Sequence, residues 1–452
     1  MGTRSAVLHT AAAAGAAPTR LQVSANRRFL VTAEGKPFFY LGDTAWELFH
    51  RLTREETDLY LTTRARQGFT VVQAVALAEF DGLDTPNRYG EKPLFEHDPL
   101  RPNEAYFRHI DWVIERADAL GLVVGLLPTW GDKWNVKWGK GPLVFTPANA
   151  GPYGEFLGRR YRDKPILWIM GGDRPVENGT HRAVLRAMAA GVRRGDGGTP
   201  PITLHPSGRS SSGQYVHSED WLDFNMLQSG HADRNVANYD MLTRDYQRTP
   251  VKPCLDGEPC YEDHPVMGKG PRDPYHDQYS VRKAAYWALF AGACGHTYGC
   301  HPVWQFWDTT REPVNGARTP WQEALHLPGA EQMHHAKALL LSRPFLNRIP
   351  DQALIVGDAG SEGRHVQATR ADDGGYALIY TPVCQPLTVR SGILSGTRLC
   401  AWWYDPRTGT ATPAGGFAKP ATMAFTPPAD GPDWVLVLDD AARGFPPPGT
   451  AE

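Results

Sequence analysis

The chain of 452 residues has no run of about 20 apolar residues, which is the length that an α-helix needs to cross a bilayer. Its net charge of −2 provides neither a basic surface for nucleic acid nor a polybasic segment for a membrane. We therefore expect no nucleic-acid partner and no membrane partner. Residues 1–20 are rich in alanine but lack the apolar centre of a secretory signal. They predict a flexible leader and a cytoplasmic protein, with export left open.

Several motifs that carry chemistry are also missing. The six cysteines form no C-x₂-C pair and are too few for a disulfide scaffold, so we expect them to be thiols. There is no H-E-x-x-H, and no H-x-H follows the first predicted strand, which argues against metal catalysis. No G-x-S-x-G marks a serine nucleophile, and no G-x-G-x-x-G marks a dinucleotide site. We expect neither a metal nor a cofactor.

Aromatic residues are plentiful, with 14 Trp, 17 Tyr and 17 Phe. The faces of Trp and Tyr stack well on the C–H surfaces of sugars, which favours a carbohydrate ligand. Large β-rich proteins also bury many aromatic side chains in their cores. Composition alone leaves these two explanations about equal.

Apolar, strand-like segments alternate with segments of helical periodicity over about 300 residues. A Thr-x-x-Glu capping box at Thr53 and Glu56 predicts the start of one helix, and residues 321–341 are predicted to form the final helix. The count of eight strands indicates an α/β fold, a (β/α)₈ TIM barrel, and the missing dinucleotide motif argues against a doubly wound sheet. The eight predicted strands are 38–46, 69–77, 122–130, 166–173, 201–208, 224–231, 252–260 and 295–299.

From Ser342 onward the pattern changes to short alternating runs separated by Gly, Pro and Asp, which predicts a small all-β sandwich. Strand alternation sends Trp402 and Tyr404 to one face and Trp403 to the other. The linker has little Gly or Ser, so we expect the sandwich to pack firmly on the barrel. The predicted organisation is a leader (1–20), a catalytic barrel (21–341), a sandwich (342–445) and a tail (446–452).

Polar residues at the carboxyl ends of barrel strands point into the mouth of a (β/α)₈ barrel. Those ends are rich here in carboxylates, amides, imidazoles and indoles, which suits a ligand with many hydroxyl groups. The candidate substrate-binding residues, at these ends or just past them, are Asp43, Trp46, Gln73, Trp130, Asp132, His205, Gln228, His231, Tyr261, Tyr298, His301 and Trp304.

Two further strand ends carry the carboxylates Asp173 and Glu258. The fourth and seventh strands face each other across a barrel mouth, so these groups can flank one bond. Glycoside hydrolysis needs such a pair, one group to protonate the leaving oxygen and one to attack the anomeric carbon or activate water. The alternatives are a helix-capping role for Asp173 and a buried ion pair for Glu258. Asp256 is a rival carboxylate that we interpret as supporting.

The segments GKPFFYLGDTAWELFHRLTREE, FTVVQAVAL, ILWIMGGDRP, FNMLQSGH and CLDGEPCYED resemble the apiosidase-like glycoside hydrolases. The stretch after Ser342 resembles the collagen-binding-type β module that accompanies this family. The resemblance implies a retaining barrel enzyme with an Asp acid/base on the fourth strand and a Glu nucleophile on the seventh. Those roles fall on Asp173 and Glu258.

Together these observations predict a retaining glycosidase that removes a terminal sugar from an oligosaccharide or plant glycoside. The resemblance adds apiose, or another furanoside, as the expected sugar. Two alternatives remain open at this point. One is an endo-acting glycanase with a long cleft, and the other is a non-catalytic carbohydrate-binding protein.

Overall fold

The structure, a computed structural model, describes residues 19–266 and 274–450. The predicted leader, except for its last two residues, and the last two residues of the tail lie outside this range. The described chain begins with a small antiparallel sheet that precedes the barrel. Its strands are β1 (Leu21–Val23), β2 (Leu30–Thr32) and β3 (Pro37–Phe38).

The central sheet is a (β/α)₈ barrel, as predicted. Its strands are β4 (Tyr40–Thr44), β5 (Val71–Val75), β6 (Val123–Leu127), β7 (Ile166–Gly171), β8 (Ile202–His205), β9 (Ser210–Ser211), β10 (Asn225–Gln228), β11 (Cys254–Asp256) and β12 (Gly295–Tyr298). All pair in parallel except the short β9, which is antiparallel to β10. Each of the eight predicted strands contains one of the parallel strands.

The barrel closes between β8 and β10 through three hydrogen bonds rather than a regular ladder, and in one of them the Ile202 amide donates to Asp223 Oδ2 at 2.7 Å. The amide of Asp223 donates to the carbonyl of Ile202 at 2.8 Å, and the Thr203 hydroxyl donates to the carbonyl of Phe224 at 2.7 Å. Every residue of β5, β6 and β7 is buried. This burial explains why these strands are almost entirely apolar in sequence, since both faces of a parallel sheet are covered.

The helices of the barrel region surround this sheet, and one prediction for them needs correction. The capping box of Thr53 and Glu56 is present at the start of the second helix. The predicted final helix is broken at residues 325–327, because Pro328 lacks an amide hydrogen and therefore starts a new helix. The helices are α1 (Leu48–Arg51), α2 (Arg54–Arg66), α3 (Glu104–Ala119), α4 (Pro147–Tyr161), α5 (Gly179–Asp196), α6 (Ser212–Val216), α7 (Asn238–Tyr246), α8 (Gln278–Phe290), α9 (His301–Trp304), α10 (Trp321–Ala324) and α11 (Pro328–Leu341). None of the described helices is long and apolar enough to span a bilayer.

The C-terminal region is all β, as predicted. A larger antiparallel sheet has the order β13-β14-β15-β20-β17-β18, and β16 pairs with β19. The sequence pattern predicted β14, β15, β17 and β20 but missed the other four, which are short or rich in glycine. The strands are β13 (Arg348–Pro350), β14 (Gln367–Ala371), β15 (Tyr376–Thr381), β16 (Leu387–Val389), β17 (Arg398–Tyr404), β18 (Ala411–Ala418), β19 (Met423–Phe425) and β20 (Trp434–Asp440).

The larger sheet has two buried faces, and β17 shows the difference between them. Trp403 packs with Trp434 in the core of the sandwich itself. Trp402 and Tyr404 point the other way and belong to the same apolar core as the barrel, with the Tyr404 hydroxyl donating to the carbonyl of His335 on α11. The predicted alternation is therefore confirmed, and the C-terminal sheet covers the outside of α8 and α11.

Two buried ion pairs join the barrel to this sheet. Arg282 on α8 donates to both carboxylate oxygens of Asp433, at 2.8 and 2.7 Å. Arg343 donates to both oxygens of Asp439 on β20, at 2.8 and 2.7 Å. All four side chains are at most 4% exposed. The two regions thus share one apolar core and two double hydrogen bonds, which is the firm packing that the short linker predicted.

Candidate active site

A cavity of about 310 Å³ lies at the carboxyl ends of the barrel strands. It contains both of the carboxylates that the sequence selected, Asp173 and Glu258. Eight of the predicted site residues line it, and six further residues come from loops. The lining residues are Trp46, Glu79, Phe80, Trp130, Trp138, Asp173, Gln228, His231, Glu258, Tyr261, His264, Trp304, Val314 and Asn315.

The backbone that carries Asp173 is unusual. Three consecutive residues, Gly171, Gly172 and Asp173, have positive φ angles of 93°, 105° and 50°. A Cβ atom on Gly171 would lie 2.4 Å from the carbonyl oxygen of His205, and one on Gly172 would lie 2.7 Å from the amide nitrogen of Gly131. Only glycine meets both requirements at these positions. The chain therefore turns sharply after β7, and the Asp173 side chain lines the cavity.

Asp173 keeps partial contact with solvent, with 26% of its side chain exposed. Its Oδ2 atom accepts hydrogen bonds from Arg174 at 3.1 Å and from the indole of Trp138 at 3.3 Å. Burial raises the pKa of Asp173, and the negative charge of Glu258 raises it further, while His205 and Arg174 oppose the shift. The carboxyl group is therefore biased towards its protonated form.

Glu258 has the opposite bias. Burial by itself would raise its pKa, but contacts with His205 and His231 outweigh burial and lower the pKa to about 2. His231 Nε2 lies 3.0 Å from Oε1, and His205 Nε2 lies 2.8 Å from Oε2 without the alignment of a good hydrogen bond. The contact between His205 and Glu258 is therefore mainly electrostatic. Glu258 therefore stays ionised at neutral pH.

His205 connects the two carboxyl groups. The Asp173 amide donates to its Nδ1 atom at 3.2 Å, so the ring proton of the neutral tautomer resides on Nε2, facing Glu258. Trp46 packs edge-on against the His205 ring with centroids 5.2 Å apart. The ring that holds Glu258 is thus itself fixed by the backbone of Asp173.

Aromatic side chains form much of the cavity wall. Trp46 and Trp130 lie side by side with ring centroids 5.3 Å apart, and Tyr261 lies 4.2 Å from His231 by the same measure. Phe80 packs on Trp304 at 5.4 Å. Flat apolar surfaces beside carboxylates are what a sugar ring requires, because its hydroxyls bind polar groups while its C–H faces stack on rings.

Six of the predicted binding residues do not line this cavity. Gln73 is buried inside the barrel, where it bonds Tyr40. Asp43 and Tyr298 are buried between the sheet and the helices, where Asp43 accepts from Arg64 on α2 and Tyr298 donates to Glu262 beside the same arginine. Asp132 pairs with Lys133 at 2.8 Å. His205 stands behind Glu258, and His301 Nε2 donates to the carbonyls of Val314 and Asn315 in the cavity rim. Whether any of the twelve binds substrate remains a prediction.

The site also contains residues that the sequence argument missed. Glu79 follows β5 by four residues, and Trp138 lies in the loop after β6 with 60% of its surface exposed. Asn315, with a φ angle of 47°, lies in the loop after α9. None of them ends a strand or belongs to a motif, so strand-end reasoning cannot find them. The only feature of the sequence that points to any of them is the length of the loop segment that starts at Glu79.

Two neighbouring cavities adjoin this one and share lining residues with it. On one side it shares Phe80 and Val314 with a cavity of about 460 Å³, and on the other it shares Gln228, His231, His264 and Asn315 with one of about 390 Å³. The loop that carries Val314 and Asn315 therefore contacts all three. The site therefore has a further cavity on each side.

This arrangement can carry out acid and nucleophilic chemistry on one bond. A carboxyl group that favours its proton faces the same cavity as a carboxylate that cannot easily gain one. Within the described residues, no group of three or more His, Cys, Asp or Glu side chains is placed to hold a metal ion.

Comparisons with known proteins agree with this chemistry. Residues 24–347 match the family model described as "Apiosidase-like, catalytic domain", and residues 349–439 match "Putative collagen-binding domain of a collagenase". A solved structure described as a glycoside hydrolase is 33% identical, with a TM-score of 0.86 over 94% of this chain and 97% of its own. A glycoside hydrolase family 5 structure from Bacteroides vulgatus ATCC 8482 is 32% identical, with a TM-score of 0.86 over 94% and 93%. A search of curated proteins gave no match. The chain belongs to the apiosidase-like family and is a glycoside hydrolase that acts on carbohydrate.

Proposed function

We propose that this glycosidase works by double displacement with retention of configuration, with Glu258 as nucleophile and Asp173 as general acid/base. The observation that carries the proposal is the opposite bias of two carboxyl groups in one cavity. The pKa of Asp173 is raised, and that of Glu258 is lowered to about 2. Such a separation of pKa values assigns the proton donor and the nucleophile.

In the first step, a Glu258 carboxylate oxygen attacks the anomeric carbon while Asp173 gives its proton to the glycosidic oxygen. The bond between that carbon and the leaving oxygen breaks, and a glycosyl ester forms on Glu258. In the second step, ionised Asp173 takes a proton from water, the water oxygen attacks the anomeric carbon, and Glu258 is released. Trp138 and Arg174, which both donate to Asp173 Oδ2, hold this carboxyl group through the cycle.

The charge of Glu258 couples the two steps. That charge raises the pKa of Asp173 in the free enzyme, which favours the acid form. Formation of the ester removes the charge, so the pKa of Asp173 falls and the group is ready to act as a base. His205 responds to the same change, because it contacts Glu258 through Nε2 and the Asp173 amide through Nδ1.

We propose a terminal apiose, or another furanoside, as the sugar that is removed, and an oligosaccharide or plant glycoside as the substrate. The support is membership of the apiosidase-like family together with a small central cavity walled by aromatic rings. A second candidate is an endo-acting glycanase. The observation that favours it is that a further cavity adjoins the central one on each side.

A panel of aryl glycosides tests the activity, including β-apiofuranosides and arabinofuranosides next to common pyranosides. We expect the wild type to cleave a furanoside and Glu258→Gln to lose at least about 10⁴-fold in kcat/KM, because a nucleophile cannot be replaced by its amide. Glu96→Gln is the matched control, since that side chain is 80% exposed. The anomer formed first, followed by proton NMR, should have the configuration of the substrate.

Other outcomes would change the proposal. Inverted product would remove Glu258 from the nucleophile role. Release of only monosaccharide from an oligosaccharide would support exo action, whereas early release of longer fragments would favour the endo-acting candidate. Full activity in Glu258→Gln would contradict the mechanism.

A further inference from the structure

A third carboxyl group, that of Glu79, lines the cavity beside Asp173 and has no part in the mechanism above. Its side chain is 22% exposed, so it is neither withdrawn into the core nor freely solvated. Within the described residues its carboxyl group makes no hydrogen bond. The backbone of Glu79 is fixed, because Lys133 donates to its carbonyl oxygen at 3.2 Å and to that of Ala78 at 2.6 Å. The polar end of Glu79 thus lies unbonded in the cavity wall.

The cation nearest to the carboxyl group of Glu79 is Arg174, which already donates to Asp173. Arg174 is fully buried, and its NH1 donates to both the carbonyl and Oδ2 of Asp173. Its NH2 lies 3.7 Å from Glu79 Oε1, beyond a hydrogen bond, and NH2 and Nε have no other partner among the described residues. One guanidinium therefore serves two carboxyl groups, and its NH2 is the atom that lies next to Glu79.

The other charged groups near Glu79 do not stabilise its ionised form. Burial raises the pKa of Glu79 to about 8, and the charges of Asp173, Glu47 and Asp132 raise it against the opposing effect of Arg174. Glu47 is itself bound to His50 at 2.7 Å, and Asp132 to Lys133 at 2.8 Å. Glu47 and Asp132 thus have partners of their own, and Glu79 has no cation to itself. Its protonated form avoids an unpaired negative charge in the cavity wall.

We propose that Glu79 binds a hydroxyl group of the sugar beside Asp173, and that Arg174 couples the charge of Glu79 to that of Asp173. A protonated carboxyl group both donates and accepts a hydrogen bond, which matches a sugar hydroxyl. Ionisation of Glu79 draws Arg174 away from Asp173, and this deepens the proposed mechanism, on which the inference rests.

Glu79→Gln and Glu79→Ala test the proposal, with Glu312→Gln as an exposed control on the neighbouring rim loop. The first measurement needs no substrate. A folded-state pKa of about 8 lies above the ordinary value of 4.5, so the folded protein retains a proton that the unfolded chain has lost between those pH values. Wild-type stability must therefore fall as pH rises through this window. The melting temperature of Glu79→Gln minus that of wild type should increase from pH 5 to pH 9, whereas Glu312→Gln should show a constant difference.

The second measurement uses the aryl glycoside that the panel identifies. We expect Glu79→Ala to raise KM about tenfold, and Glu79→Gln to raise it less because the amide still donates and accepts. The basic limb of kcat/KM should change in Glu79→Gln but not in the control. A constant melting difference would disprove the protonated Glu79, and an unchanged KM in Glu79→Ala would disprove the binding role. If the wild type cleaves no glycoside, the proposed function fails instead, and the melting series still tests the protonated Glu79 because it needs no substrate.

Discussion

The mouth of the barrel and the contact between the barrel and the C-terminal sheet both bury charged side chains, but they satisfy them differently. At the contact, Asp433 accepts two hydrogen bonds from Arg282 and one from Tyr380, and Gln332 accepts from the remaining side of Arg282. At the mouth, Arg174 is shared between Asp173 and Glu79 and leaves two donor nitrogens without a partner in the described chain.

The difference separates a group that stabilises the fold from one that performs chemistry. A fully bonded buried pair fixes geometry, and its loss leaves an uncompensated charge. A buried carboxyl group with too few partners keeps a displaced pKa, which costs stability and supplies a proton donor. Asp and Arg thus stabilise the fold at the domain contact and support the chemistry at the barrel mouth. The two roles differ in the number of hydrogen bonds that the charged groups make.

Among the substitutions that compare the two regions, Asp173→Asn at the mouth should have the largest effect on activity. We expect kcat/KM to fall by about 10²–10⁴-fold on a glycoside with a poor leaving group, because no proton reaches the leaving oxygen. Burial and Glu258 raise the pKa of Asp173, so its ionised form costs stability as pH rises. The variant should therefore melt no lower than the wild type at pH 8. Added azide should restore turnover of activated aryl substrates in Asp173→Ala, and failure of this rescue would argue against the acid/base role.

The matching substitution at the domain contact, Asp433→Ala, should have the reverse effect. Removing one partner of a buried pair costs about 3–5 kcal/mol, so we expect a large fall in the free energy of unfolding measured with urea. At a temperature where the variant is folded, kcat/KM should stay within about threefold of the wild-type value, since neither Asp433 nor its partner Arg282 lines the cavity.

A double variant sharpens this test. Replacing both partners, as Arg282→Met with Asp433→Leu, should recover much of the lost stability, because apolar groups of similar volume often replace a buried ion pair without loss. If the double variant is as unstable as Asp433→Ala, the contact is held by hydrogen bonds to Tyr380 and Gln332 rather than by the pair itself.

The smallest expected effect comes from Trp138→Phe, which keeps the aromatic ring and removes one donor to Asp173. The hydrogen bond from Trp138 lowers the pKa of Asp173, so its loss should raise that pKa and move the basic limb of kcat/KM to higher pH. Activity at the optimum should change by less than about fivefold. Trp112→Phe, a half-buried tryptophan outside the cavity, is the control and should leave the pH profile unchanged.

The sequence predicted the barrel because its strands are buried on both faces and so appear as apolar runs ending in polar residues. It did not reveal which of those polar ends reach the cavity. Asp43 and Tyr298 turn outward to Arg64 on α2, whereas Gln228 and Tyr261 line the mouth. That choice depends on the tilt and stagger of closed strands, which no local pattern records.

The loops were the least predictable part of the site. Glu79 and Trp138 lie in segments without periodicity, and the left-handed backbone of Trp138, at a φ angle of 47°, is rare for a bulky residue. In the C-terminal region, β18 was missed because Ala411–Ala418 contains two glycines and alternates poorly. The buried strand β20 was found, since Trp434–Asp440 is strongly apolar.

The position of β20 in its sheet has a consequence for how the protein is made. β20 lies between β15 and β17, yet it is synthesised after both of them. Until it emerges from the ribosome, β15 and β17 lack their common neighbour, and Arg282 and Arg343 in the earlier chain lack Asp433 and Asp439. Without β20 the sheet that covers α8 is incomplete, and the unpaired strands and apolar side chains that remain are features that chaperones can recognise. Ribosome stalling before Asp433 should therefore leave a nascent barrel that is sensitive to proteases.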